Sequence, residues 1–261
     1  MDARRLSATE VERMARLYQD AETQIRARIE RALARGNSTK QLDAMLAETR
    51  QILADLNQAS AKWAGQAVPK MYRAAVDAVD AQTGVSGAFG TVHKDAMRLL
   101  ADNVYSRFSD VNALVGRRVN DIYRTITLEN VTGSLAGYDT WKQAADGIVA
   151  SLDAQGVVGF VDKAGREWSM STYAEMAART TTMQTYREGA RNRIVENTGS
   201  DLAEVTGPGD STDGCADAVG LVFSLTGQTS GYPTLDEIEA DYGLFHPNCV
   251  HSFVAYVPEG A

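Results

Sequence analysis

His246-Pro247-Asn248-Cys249-Val250-His251 is the stretch on which the reading of this chain turns. It holds two of the three histidines and one of the two cysteines in 261 residues. The other cysteine, Cys215, stands 31 residues upstream of His246. Thiolate and imidazole are preferred zinc ligands, and Zn2+ has no electronic preference against a mixed tetrahedral set. Pro247 fixes one φ angle, so the loop is partly organised before any metal arrives. Residues two apart in an extended segment point the same way, so Cys249 and His251 can face one point. Cys215 then closes the sphere from a separate turn. The spacing thus predicts Cys215, His246, Cys249 and His251 as the ligands of one zinc ion.

Plainer readings compete with it. Two cysteines can be buried, inert thiols, and the histidines can be hydrogen-bonded loop residues. A disulfide would need an oxidising compartment, and the opening Met1-Asp2-Ala3-Arg4-Arg5 lacks the apolar core of a signal peptide. No CxxC pair is present, because Ala218 stands where its second cysteine would be; Asp217 offers a substitute oxygen. Four candidate ligands argue for a closed, structural site, since a catalytic zinc keeps a position open.

Charge divides the chain around this stretch. The net charge is -8, yet after Arg193 there is no Lys or Arg, while eleven Asp and Glu follow. Phosphate backbones are held by Lys and Arg, so the C-terminal part is unsuited to nucleic acid and fits a cation, a basic partner surface or plain solvation. No run approaches the roughly 20 apolar residues of a membrane span.

Upstream the pattern is helical. Val11, Met14, Tyr18, Ala21, Ile25 and Ile29 recur at steps of three and four, with Ser7 and Glu10 spaced as a capping box. A second helix follows Gly36-Asn37, with a kink or break expected at Gly65 and Pro69. From Thr91 a third carries Met97, Leu100, Val104, Phe108, Val111, Val115, Val119 and Ile122 in a near-heptad seam, suited to packing on the earlier helices or on another copy. His93, alone near its start, reads as structural or solvated. The pattern fades over 128–138, and a further helix is expected over 139–155. Residues 157–161 and 167–170 read as a hairpin about the turn 162–166, and Ser171 as the cap of a helix reaching about Asn197. Short strands are expected at 202–205, 220–223 and 252–257. The expected class is α+β: an elongated, mainly helical part over 1–135, then a small α+β domain over 136–261 with a zinc-stabilised loop region.

Common catalytic motifs are missing: there is no GxxxxGK[ST], GxSxG or HExxH. Arg179, a Ser/Thr-rich run and Glu237-Ile238-Glu239 follow the order of an ADP-ribosyltransferase, but Pro233-Thr234-Leu235 reads as a helix start rather than a strand. A zinc hydrolase is the other enzymatic alternative.

Several motifs are similar to one family. Val161-Asp162-Lys163-Ala164-Gly165-Arg166-Glu167-Trp168 leads into Ser171-Thr172-Tyr173-Ala174-Glu175-Met176-Ala177-Ala178-Arg179-Thr180, then Asp201-Leu202-Ala203-Glu204-Val205, Asp213-Gly214-Cys215, Gly220-Leu221-Val222-Phe223 and the His246–His251 ending. This order resembles the minor capsid proteins of tailed bacteriophages, the Mu F-like head-morphogenesis group and especially its phage minor capsid protein 2 branch. Asn120-Asp121-Ile122-Tyr123-Arg124 extends the likeness to about half of the chain. The resemblance implies a structural virion protein, not an enzyme, placed near the portal vertex. Its partners would be portal or major capsid protein, with self-association through the N-terminal helices, in the virion and, during assembly, the host cytoplasm. It also implies metal at Cys215, His246, Cys249 and His251.

Overall fold

A computed structural model describes residues 3–34, 39–136, 143, 145–150, 152, 160–161, 167–209 and 214–257. The elements are α1 (Ala3–Ala34), α2 (Thr39–Thr83), α3 (Thr91–Ala136), β1 (Phe160–Val161), β2 (Glu167–Trp168), α4 (Met170–Asn197), β3 (Leu202–Thr206), a 3-10 turn (Gly214–Ala218), β4 (Val222–Ser224), α5 (Leu235–Tyr242) and β5 (Ser252–Ala255). The fold is mostly helical, with a small three-stranded antiparallel sheet near the C-terminus. No helix among the described residues is long and apolar enough to cross a membrane.

Contacts gather the chain into two units, and neither is continuous in sequence. One comprises Met1–Glu12, Trp63–Val104 and Met176–Ala261; the other comprises Arg13–Lys62 and Tyr105–Glu175. The division at 135/136 marks where long helices give way to mixed texture, whereas the contacts join segments from both sides of it.

The second unit shows why the apolar steps matter. Met14, Tyr18, Ile25 and Ile29 of α1, Leu42, Leu53 and Leu56 of α2, and Phe108, Val111, Val115, Val119 and Ile126 of α3 are all buried. Each such side chain removed from water contributes about 1.5–3 kcal/mol. Tyr18 and Phe108 meet at 5.6 Å between ring centres. Asn112 donates to Asn57 at 2.7 Å, and Tyr123 donates to Asp43 at 2.8 Å. From Val104 onward the α3 seam is thus spent inside the chain.

The first unit holds a core of Leu6, Met71, Val79, Ile194, Val205, Phe223, Ile238, Phe253 and both cysteines, among others. Its sheet runs β4-β3-β5, with Ala203 opposite Phe223 on one side and Ala255 on the other. The free edge of β5 is covered by side chains, as an unpaired edge invites pairing with other chains. Gln82 of α2 accepts from the Ala255 N–H and donates to its carbonyl, while Arg187 of α4 donates to the His251 carbonyl. His93 is fully buried, between Tyr72 at 3.0 Å and Glu196 at 2.8 Å; of its two expected roles, the structural one holds.

Several expectations are corrected. Pro69 does not break α2, which is continuous from Thr39 to Thr83. The carbonyl that Pro69 cannot bond belongs to Gly65, an exposed residue with nothing near its missing side chain. Water can serve that carbonyl, while Trp63, Ala64, Ala67, Val68, Met71 and Tyr72 around it are buried and hold the helix. Ser7 and Glu10 do not cap α1, which already runs by Ala3. Ser7 pairs instead with Thr182 at 2.6 Å, and Glu10 takes Lys70 at 2.8 Å. α4 is capped by Ser169, whose hydroxyl accepts from Thr172 N–H at 3.1 Å, rather than by Ser171. α3 continues to Ala136, well into the stretch where the pattern fades. The hairpin is present as β1 paired with β2; its turn, 162–166, lies outside the described residues. Of the helix expected over 139–155, residues 143, 145–150 and 152 are described and helical. β4 sits two residues later than expected at its start, and β5 is shorter.

Candidate metal centre

Three of the four expected ligands come together without ambiguity. Cys215, Cys249 and His251 are buried, and their ligand atoms lie within 4.8 Å of one another. Cys215 arrives on the 3-10 turn and the other two on the approach to β5. His246 stands at the rim, half-buried, with its Nε2 3.5 Å from the Cys215 sulfur. It is not part of the tight group of three. Asp217 is exposed and also outside that group.

The donor set fits zinc. With Zn–S near 2.3 Å and Zn–N near 2.0–2.1 Å, the S···N edge of a tetrahedron is about 3.6 Å. Cys249 Sγ and His251 Nδ1 are 3.5 Å apart, as are Cys215 Sγ and His246 Nε2. Each imidazole also has its second nitrogen against a backbone carbonyl: His251 Nε2 on Pro208 at 3.0 Å, His246 Nδ1 on Pro247 at 2.8 Å. A proton on that nitrogen leaves a lone pair on the one facing the sulfur. Carbonyl partners of this kind orient metal-bound histidines. Two thiolates would balance the ion's charge, an advantage at a buried place.

The local sequence shapes the loop that carries His246, Cys249 and His251. Phe245 and Asn248 take positive φ angles of 60° and 70°, a costly state for a side chain as large as Phe245. Cys249 N–H donates to His246 O at 2.9 Å, closing the loop, and Asn248 N–H donates to Thr180 at 3.2 Å. Across the site, Gly207 leaves room for His251: any side-chain carbon there would overlap the ring.

Arg187 was not singled out by sequence reasoning. It is nine-tenths buried, donates to the His251 carbonyl at 3.1 Å and lies 4.3 Å from the centre of the Phe245 ring. Burial pulls its pKa down to about 10, although Cys249 and Glu239 favour its charged form. It remains a cation at neutral pH and braces the ligand loop from behind. An arginine within a helical run carries no local signal of such a partner.

The enzymatic pattern dissolves into helices. Arg179 lies on α4. Glu237 completes a capping box with Thr234 at the start of α5, and these bonds hold its carboxyl below the usual range. Glu237-Ile238-Glu239 is therefore a helix turn and not part of a strand.

A fold with a Cys/His group gathered at the end of a mostly helical chain defines a class of protein with a buried thiol–imidazole centre. The sequence supplies the family: the model of phage minor capsid protein 2 matches residues 3–260, so the chain belongs to that family. It is thereby a structural protein of the bacteriophage virion. No curated protein and no solved structure matches it.

Proposed function

We propose that this chain is a head-assembly component that docks on portal or major capsid protein near the packaging vertex, and that zinc holds its C-terminal unit in shape. Family membership over residues 3–260 carries the first part. The protein acts by binding and not by turnover. Before encapsidation it would reside in the host cytoplasm, with the N-terminal helices as the route for any self-association. The acidic composition after Arg193 favours protein partners over nucleic acid for the C-terminal part.

For the metal, the support is the pairing of two 3.5 Å sulfur–nitrogen contacts with two carbonyl-bound imidazoles. Cys215, Cys249 and His251 would bind the ion and His246 would complete the set. A structural zinc contributes on the order of 10 kcal/mol to folding a small unit. Without metal, the same contacts are weak S–H···N hydrogen bonds. Elemental analysis of the purified protein should therefore give one zinc per chain, abolished in Cys249→Ser together with cooperative melting of the first unit. Metal-free protein of unchanged stability would rule the zinc out. A folded variant that lost a hydrolytic activity would favour a catalytic ion. For docking, the expected result is recovery of the chain at low copy number from mature heads, cross-linked to portal or capsid. Its absence from heads would refute the placement.

A further inference from the structure

A groove of roughly 350 Å3 lies in the first unit beside the metal loop. One wall is α4 with Arg187 and Arg191, the other is α5 with Leu235 and Glu239, and Phe245 and Phe253 add aromatic surface. Arg187 is the unusual member. It is nine-tenths buried, yet among the described residues its hydrogen bond is the one to His251 O. A guanidinium carries five N–H donors; Glu239, the groove carboxylate that favours its charge, is exposed and makes no hydrogen bond to it. Arg191, one turn further on, makes no hydrogen bond or ion pair within the described residues. No basic residue follows Arg193, so the sequence from there to the end adds no positive charge to the groove.

We propose that this groove seats an acidic peptide segment of a partner protein, with a side-chain carboxylate received by Arg187 and Arg191 and a neighbouring apolar side chain on Phe245 and Phe253. The fork of an arginine matches a carboxylate in two parallel bonds, and aromatic surface beside it suits a peptide more than a bare ion. Glu188 and Glu239 also line the groove. Glu188 accepts from Asn192 at 3.3 Å. Glu239 is exposed and has no such bond among the described residues, and it repels a second negative charge. It therefore acts against doubly charged phosphate more than against a single carboxylate, a repulsive element that sharpens selection. This inference rests on the reading that the chain works by docking, and it names the chemistry of one contact.

The test is a titration of the full-length, isotope-labelled protein with acetyl-Leu-Glu-Leu-amide, followed by backbone amide shifts. Saturable shifts at Arg191, Glu239 and Phe245 are expected, with none from the Leu-Gln-Leu peptide. Arg191→Gln should weaken binding several-fold, and Glu239→Gln should tighten it several-fold. Opposite signs from two substitutions are not what a merely structural role would give. No saturable shift in the groove, equal binding of the glutamine peptide, no response to either substitution, or inorganic phosphate binding as tightly as the peptide would each overturn the proposal. Failure here would leave intact any finding that the chain is present in heads, so the two readings fail separately.

Discussion

The imidazole of His251 occupies the space that a side chain at Gly207 would fill. The same short loop supplies the Pro208 carbonyl that accepts from His251 Nε2. One loop thus both clears and orients the ring that is proposed to bind metal. Gly207→Ala should push the ring out of line and cost about 1–3 kcal/mol through overpacking. The check is zinc content beside thermal melting: both should fall. Full zinc occupancy at unchanged stability would show that His251 is not constrained from this side.

Asp201 gathers the hydroxyls of Ser224, Thr226 and Thr229 and the N–H of Thr226. Burial alone would raise its pKa, but these donors outweigh it and hold the carboxyl well below the usual range. The sign follows. A depressed folded pKa gives stability that is complete above the unfolded value of about 3.9 and is lost as pH falls towards the folded one. Asp201→Ala should cost about 1–3 kcal/mol at neutral pH by stranding the donors. Denaturant melts should show that gap narrowing below about pH 4.

Pro69 offers a change of opposite sign. It sits inside α2, where proline is normally disfavoured by about 3 kcal/mol relative to alanine. Pro69→Ala restores a donor to the Gly65 carbonyl and should raise stability by about 1–3 kcal/mol, read as a higher melting temperature. A lower one would mean that the proline fits a bend the packing requires.

Arg193 is almost wholly buried and forks onto Asp80 at 2.5 and 2.6 Å, with a further bond to Gly87 O at 3.0 Å. Asp80→Ala removes the forked partner of that cation and leaves it only the charges of Glu196 and Asp77, so a loss of about 3–5 kcal/mol is expected in equilibrium unfolding. A loss under 1 kcal/mol would place the charge in solvent.

What the sequence disclosed follows from what each signal depends on. The Cys215, Cys249 and His251 group was legible because cysteine and histidine are scarce here and their chemistry is narrow. The stripes of α1 and α3 were legible because burial repeats with the helical period. Ser7 and Ser171 were misread, because the partner of Ser7 is the distant Thr182 and the cap of α4 falls to Ser169. Arg187 gave no sign because its partners are 58 or more positions away, at Phe245 and His251. The grouping of the first twelve residues with the last eighty-six was equally hidden, since contact between distant segments leaves no local trace.

The bond between Gln82 and Ala255 spans 173 positions. A ribosome releases the first of these long before it makes the second. The helical half of that unit must therefore wait, its apolar face uncovered, for the closing strand. Only a chain made past Ala255 can cover that face, so products that stop short of it would be left sticky and conspicuous to proteases.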